Sequence, residues 1–314
     1  MPAMPVDISW QVLRQIVHDW AGASADLAEV KPLDGGSVST TLALTTTSGD
    51  RAVLKITPHR VDRAYADEAL QLNLLRDVGV PAPRVYRWEI GTLDHPFSYL
   101  LMEYVDGSDL PAVRECCAAD VFDGVQAELA EIVLRLHANT STHYMRLTHA
   151  EPRRFESWPT CYREIYDGIW HEVEKLSGPA ALPTKARKTV SKVHERLEAL
   201  LAHSDKPRLV HWDIWGNNLL LRQGDDGRWH VAALLDPACK YAHCEAELSY
   251  MEQFHTVTPA FLRTYQHSQR LAPEYHRVRK PVYQLYEMLN HLYVFGPEYL
   301  KPTLAAVERV SPLV

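Results

Sequence analysis

The sequence predicts an α+β fold of two lobes, an antiparallel-sheet N-lobe over residues 1–105 and a mainly helical C-lobe over 106–314. Three observations lead there. Residues 29 to 105 alternate apolar and polar positions, rich in Thr, Val and Leu, with turn signals between the runs. After residue 105 the apolar residues recur at helical spacing instead. The length of 314 residues suits two units of roughly 150 residues, each able to bury a core.

The opening segment "DISWQVLRQIVHDW" carries Ile8, Val12, Ile16 and Trp20 at helical spacing, with Asp7 as the expected N-cap. The stretch "VKPLDGGSVSTTLALTTTSGDRAVLKITP" then predicts strands over 29–33, 38–46 and 51–57, turned at Gly35-Gly36 and Ser48-Gly49-Asp50. A helix follows with Leu70, Leu74 and Leu75 on helical spacing, and it stops at Gly79 and Pro81. Its Glu68 shares a face with Leu72 and Leu75 and so points toward the body of the domain. "RVYRWEIG" and "FSYLLMEYV" supply two more strands.

From "DGSDL" onward the pattern is helical, first over 120–137, where Val121, Val125, Leu129, Ile132, Val133 and Leu136 form a stripe. Within a polar, aromatic-rich stretch from 139 to 180, Trp158, Tyr162, Ile165, Tyr166, Ile169 and Trp170 form a second stripe, read as core rather than as a substrate cage. A helix over 185–202 and a hairpin turned by Asp225-Asp226-Gly227 come next. The remainder, with "KPVYQLYEMLNHLYVFG", is helical again.

Composition narrows the function. With 33 basic against 40 acidic residues the formal charge is −7, which argues against a general nucleic-acid binder. Five cysteines without a CxxC pair suit a reducing cytoplasm. No export signal is read in "MPAMPVDISW" and no run reaches the roughly 18 apolar residues of a membrane span. Cys239, His243 and Cys244 cluster in sequence, but their spacing matches no common zinc site.

The chemistry centres on "LVHWDIWGNNLLL", residues 209–221, where polar residues sit on a short loop between apolar strand edges. His211, Asp213 and Asn218 have the form HxDxxxxN, and "LLDP" places Asp236 twenty-three residues after Asp213. Phosphoryl transfer from ATP needs a carboxylate to accept the proton of an attacking hydroxyl and oxygen ligands for Mg²⁺. Asp213 suits the first task; Asn218 and Asp236 suit the second. His211 is read as a brace for the loop.

Lys55 stands on the otherwise apolar strand "AVLKI", and Glu68 follows thirteen residues later, a pair able to hold the lysine toward the α and β phosphates. The turn "DGGSVST" lets the backbone of Gly35, Gly36 and Ser37 approach phosphate oxygens. "LMEYVDG" is a candidate hinge, with the Glu103 C=O and Val105 N–H against an adenine edge and Met102 lining the pocket behind. Each residue alone also fits a plain role: a snorkelling lysine, a solvated helix glutamate, an ordinary hairpin turn. Their order along one chain selects phosphoryl transfer.

The segments "HWDIWGNN", "LLDPACKYAHCEAEL" and "YQLYEMLNHLYVFGPEYL" resemble the HGDLWxGN, IDPAxYYGxxExDL and LYxxLxHLxxFGxxY motifs of the fructosamine kinase family, within the aminoglycoside phosphotransferase superfamily. "LLRDVGVPAPRVY" and "LLMEYVDG" are similar to the wider superfamily, and the resemblance runs over roughly residues 30–300. It implies a protein-kinase-like fold and ATP-dependent phosphorylation of a sugar hydroxyl on a ketoamine, the adduct a reducing sugar leaves on an amine. It also implies that Trp215 covers the sugar or a substrate ammonium and that His291 faces the acceptor, although an apolar plug and a core histidine fit these two as well. His137 is read as structural, packing near the loop.

The chain departs from the motifs at several positions. Trp212 stands where the family has glycine and is expected to crowd the loop, Asn217 replaces a small residue, and Glu247 stands where an aspartate braces the loop. Ala242 and Cys244 interrupt a usual Gly and Arg. Two alternatives stay open: an aminoglycoside, a choline-like alcohol or another sugar as acceptor, or a nucleotide-binding pseudokinase module in which Trp212 blocks turnover.

Overall fold

The computed structural model describes residues 8–33, 40–58, 63–92 and 97–314. Contacts divide the chain into two compact units. The first takes the described residues up to Phe122 together with Leu147–Pro152 and Asn217–Ala238; the second takes Asp123–Arg146, Arg153–Gly216 and Cys239–Val314. The sequence reading divides the chain once, between 105 and 106. In these units the later hairpin joins the first because it pairs with a short strand just after residue 107.

The first unit opens with helix α1 (Trp10–Ala21), capped by the Ser9 hydroxyl, which accepts from the Val12 N–H. Asp7, the expected cap, lies outside the described residues. Strands β1 (Leu27–Pro32), β2 (Thr40–Thr46) and β3 (Arg51–Pro58), helix α2 (Ala64–Asp77), and strands β4 (Val85–Glu89) and β5 (Phe97–Glu103) follow. The strands form one antiparallel sheet in the order β1-β2-β3-β5-β4. Alternation along a strand sends neighbours to opposite faces. Leu54 and Ile56 therefore join Leu42, Leu44 and the Leu13, Ile16 and Val17 face of α1 in one core, while Lys55 projects to the other side.

Helix α2 buries Tyr65, Ala66, Ala69, Leu72 and Leu75. Leu70 and Leu74 are only half-buried, so the leucine spacing places the inner face about one residue off. The small residues Ala66 and Ala69 mark that face better, since they allow close approach to the sheet.

Strand β6 (Ser108–Asp109) leads into helices α3 (Leu110–Cys116) and α4 (Ala119–His137). The α4 stripe is buried as expected except at Val121, which is 42% exposed in the first turn. In the second unit, strand β7 (Met145–Arg146) and helix α5 (Trp158–Lys175) come next, and Trp158, Tyr162, Ile165, Tyr166 and Trp170 are buried in the core. The helix expected over 185–202 is two pieces, α6 (Thr184–Glu195) and α7 (Leu197–Leu200), because the chain tightens at Arg196, whose N–H reaches both Lys192 and Val193 carbonyls.

Strand β8 (Arg208–Val210) precedes the 211–216 loop, and β9 (Leu219–Gln223) and β10 (Trp229–Leu234) form the hairpin, with Gly227 in the left-handed region at its turn. Strand β11 (Lys240–Ala242) pairs with β7 and β8. Helices α8 (Cys244–Gln253), α9 (Pro259–Ser268), α10 (Lys280–Phe295) and α11 (Leu300–Val310) complete the chain. No helix among the described residues is long and apolar enough to cross a membrane.

β6 runs against β9 so closely that a Cβ on Gly107 would lie 2.8 Å from the Leu221 carbonyl oxygen. Gly107→Ala must push the two strands apart, and a loss of about 1–3 kcal/mol is expected in urea unfolding. An unchanged midpoint would mean that the strands separate there without cost.

Candidate active site

Within the first unit, β3, α2 and the end of β10 bring three charged side chains together. The Lys55 ammonium lies 2.6 Å from Glu68 Oε1 and 2.5 Å from Asp236 Oδ1. Burial alone would push the lysine down, but the carboxylates of Glu68 and Asp236 outweigh it and hold the ammonium above its ordinary value. Glu68 is raised by its own burial, with Lys55 opposing. The spacing of Lys55 and Glu68 thus delivers the expected pair, and Asp236 joins it directly.

Asp236 sits two residues beyond the hairpin ladder in the left-handed region, at φ 54°. The Leu235 N–H donates to the Asn218 carbonyl at 2.8 Å, one step past the Leu219–Leu234 pair. Asn218 and the residue before Asp236 are therefore tied by the backbone at one end of the hairpin. Oxygen donors of an amide and a carboxylate held this way match the preference of a hard divalent cation.

At the expected hinge, Met102 is buried in β5 between its strand partners Val53 and Val85. Glu103 closes the strand: its N–H donates to the Arg84 carbonyl and its carboxylate accepts from the Arg84 N–H. Val105 is half-buried. Arg51, not foreseen, braces this segment by lying over the Tyr104 ring at 3.5 Å and bonding Asp106 at 2.7 Å. Gly35, Gly36 and Ser37 lie outside the described residues.

In the second unit the 211–216 loop hangs from a buried network. Glu247 on α8 is 1% exposed and divides its two oxygens. Oε1 accepts the Trp212 N–H at 2.6 Å and Oε2 bonds His137 Nε2 at 2.8 Å. His137 Nδ1 continues to the Tyr265 hydroxyl at 2.8 Å. The expected bracing of the loop by Glu247 and the structural role of His137 are both visible in these bonds. His211 is buried, and its Nδ1 accepts the Asp213 N–H at 3.3 Å. The Tyr250 hydroxyl donates to Asp213 Oδ1 at 2.6 Å. Tyr250 was not singled out from sequence, although Glu247 and Tyr250 on α8 and Phe254 at its C-cap fall at i, i+3 and i+7, a spacing that marks one helix face.

Trp212 does not crowd the loop in the expected way. Its backbone is left-handed, φ 72°, which explains why glycine suits that motif position. Its half-buried ring packs against the core of the second unit, edge-on to Trp158 at 6.3 Å between centroids, with Lys240 Nζ 4.2 Å from the ring centre. Lys240 is pushed down to about 7 by burial and by Arg146. Glu287 on α10 is pushed up to about 8 by burial, with Lys240 opposing and Asp213 adding to the rise.

Trp215 is half-buried. His291 donates from Nδ1 to the Glu287 carbonyl at 2.8 Å and stacks on Phe254 at 4.8 Å. Burial lowers its basicity. Away from this loop, His203, Asp205 and His243 bring ligand-type atoms within 4.8 Å of one another. The two imidazoles lie parallel, 3.6 Å apart at 11°, so a shared ion would sit well out of at least one ring plane, whereas imidazole nitrogens coordinate in plane. The arrangement is a ring stack, with the His243 Nε2 bonded to Asp205 at 3.1 Å. His203 is pushed down to about 3 by burial and by His243.

Two outcomes follow from these networks. Glu247→Ala strands the His137 imidazole and the Trp212 N–H, and should cost about 2–4 kcal/mol in chemical denaturation, with Glu247→Gln costing clearly less; equal losses would remove the carboxylate's bridging role. The folded His203 pKa lies below the unfolded value of roughly 6.5, so its contribution to stability is complete above that value and declines as pH falls toward the folded one. The melting temperature should therefore drop by a few degrees between about pH 7 and about pH 5, and His203→Phe, which keeps a ring but cannot charge, should show a smaller drop. An identical acid response in the variant would assign the loss elsewhere.

The sequence model described as fructosamine kinase matches residues 9–141 and 153–311. A protein from Vibrio parahaemolyticus named as a probable ketoamine kinase is 31% identical over 304 residues, covering 96% of this chain and 99% of the other. Among solved structures, a candidate fructosamine-3-kinase from Haemophilus somnus superposes with a TM-score of 0.75 at 20% identity, covering 96% of this chain and 97% of that one. The GDP complex of an aminoglycoside 2'-phosphotransferase superposes with a TM-score of 0.62 at 14% identity, covering 98% and 99%. The superpositions show the α+β, protein-kinase-like fold that the sequence resemblance implied, and with the match over most of its length the chain belongs to the fructosamine kinase family.

Proposed function

We propose that this protein is an ATP-dependent kinase that phosphorylates a sugar hydroxyl of a small-molecule ketoamine of the fructosamine or ribulosamine type. Family membership supports the reaction class, and one observation carries the assignment of residues: Lys55 is clasped by Glu68 and Asp236 in the same chain that presents Asp213 on a braced loop.

In this reading Lys55, oriented by Glu68, holds the α and β phosphates of ATP, and the backbone at Gly35, Gly36 and Ser37 covers them. The Glu103 carbonyl and Val105 N–H take the adenine edge, with Met102 behind it. Asn218 and Asp236 hold Mg²⁺, which when bound neutralises phosphate charge. Asp213 orients the acceptor hydroxyl and takes its proton as the oxygen attacks the γ-phosphorus and ADP departs. Tyr250 fixes one Asp213 oxygen at 2.6 Å and so sets the direction of the carboxylate.

The acceptor meets Trp215 and His291. Trp215 offers an indole face to the sugar or to an ammonium. His291, its Nδ1–H committed to Glu287, presents Nε2 as an acceptor for a hydroxyl. All five cysteines are free thiols, which fits a reducing cytoplasm as the working compartment. The partly buried Trp212 ring packs against the core of the second unit, which favours an active kinase over a pseudokinase.

The test is ADP release over a panel of ketoamines, aminoglycosides and choline. Turnover with ketoamines is expected, and Asp213→Asn should lower kcat by at least about 10²-fold while Mg²⁺-ATP still raises the melting temperature of the variant. Turnover confined to an aminoglycoside or choline would overturn the acceptor assignment, and an unimpaired variant would overturn the role of Asp213.

A further inference from the structure

Trp212 and Lys240 touch each other, and both depart from the motifs that the chain otherwise resembles. Tryptophan stands at the glycine of HGD. In "LLDPACKYAHCEAEL" against IDPAxYYGxxExDL, lysine stands at the first tyrosine. Twenty-eight residues separate them in sequence, yet the ammonium lies 4.2 Å from the indole centre.

Neither side chain is comfortable alone. Trp212 holds a left-handed backbone that disfavours any residue with a Cβ, and its amide is pinned to Glu247 at 2.6 Å. Lys240 is 8% exposed at the start of β11, the central strand of its sheet, opposite Arg146 of β7 and Val210 of β8. Among the groups acting on its charge are the Arg146 cation from β7, Cys239 just before β11, the Glu287 carboxyl of α10 and the Asp213 carboxylate of the loop. A poorly hydrated ammonium gains most from an aromatic face, and an indole is the strongest such face. The indole is itself fixed from another side by the edge contact with Trp158 of α5.

We propose that Trp212 and Lys240 form one positioning device: the ammonium seated on the indole face locks the left-handed turn from which the next residue, Asp213, projects. Lys240 acts through Trp212 and is a positioning residue, not a catalytic one. The inference rests on the kinase reading above for its functional consequence, and on the contact geometry for its structural one.

A double-variant cycle with Lys240→Met and Trp212→Leu, together with Lys240→Arg, tests it in the full-length protein by ADP release with a ketoamine acceptor and by thermal melting. Lys240→Met replaces a buried charge by an apolar chain of similar length and so relieves the desolvation that opposes that charge. Lys240→Met should therefore keep or raise the melting temperature, yet lower kcat roughly tenfold with the KM for ATP unchanged. Lys240→Arg, which keeps a cation over the ring, should stay within about threefold of the parent. The double variant should lose no more activity than the worse single variant.

Parental kcat in Lys240→Met, or losses that multiply in the double variant, would overturn the proposal. If the parent turns over no ketoamine, the kinase reading fails first, and the melting temperatures then decide the coupling without any substrate. Shifts of the two single variants that fail to add support the unit, and shifts that add overturn it.

Discussion

The buried carboxylate of Glu247 is the constraint on which the second unit's loop depends. It is 1% exposed, and a carboxylate placed there is tolerable only if both oxygens are satisfied. Its partners come from two distant stretches of chain, the His137 imidazole at the end of α4 and the Trp212 amide in the loop. The bond to an amide rather than to a side chain matters. It fixes the loop backbone one residue before Asp213, whichever side chain occupies position 212. Tyr250, one helical turn along from Glu247, then sets the carboxylate of Asp213 itself. One face of α8 thus positions both the backbone and the side chain of the group proposed to take the acceptor's proton.

The first unit solves a different electrostatic problem. Lys55 is nearly buried between Glu68 and the partly exposed Asp236, one cation set against two carboxyl groups. Burial raises Glu68, Lys55 opposes the rise, and the second carboxyl group, Asp236, adds to it. A divalent cation and a polyphosphate arriving together add two groups of opposite sign, and the surplus carboxylate then has a partner of its own. The proposed ligand, Mg²⁺-ATP, would bring both charges at once.

The sequence makes these features visible to different degrees, for physical reasons. Strand alternation locates Lys55 on the face away from Leu54 and Ile56, because the period of a strand leaves no other choice. Glu68 follows from helical spacing. The turn at Asp213 is far less legible: nothing in "HWD" reveals that Trp212 is left-handed, and bulk at a glycine position reads naturally as obstruction. The ring escapes that fate because, from a backbone at positive φ, it packs against the core instead. Lys240 is illegible for a related reason, since a lysine between Cys239 and Tyr241 on a short strand looks like an ordinary surface cation, and its burial comes only from the pairing of β11 with β7 and β8. Similarly, Leu70 and Leu74 outweigh two alanines in hydrophobicity, yet Ala66 and Ala69 mark the face of α2 that meets the sheet. Size, not apolarity, decides the closest approach.

His291 shows how packing narrows a role that sequence leaves open between a core histidine and an acceptor contact. A carbonyl can only accept, so the bond to the Glu287 carbonyl requires the proton on Nδ1. Burial disfavours a second proton, so the ring remains neutral and its Nε2 keeps a lone pair. The ring is also held in plane by Phe254 and flanked by Phe295 and Tyr299. Such a histidine is poorly suited to attract an anion or to donate a proton, and well suited to receive a hydrogen bond from a neutral hydroxyl. Phe254 in turn packs on Tyr250, the partner of Asp213, so the orientation of His291 and that of the proposed base are set by consecutive contacts of one aromatic row. A histidine fixed in this way can serve both descriptions at once, core on its Nδ1 side and hydroxyl acceptor on its Nε2 side.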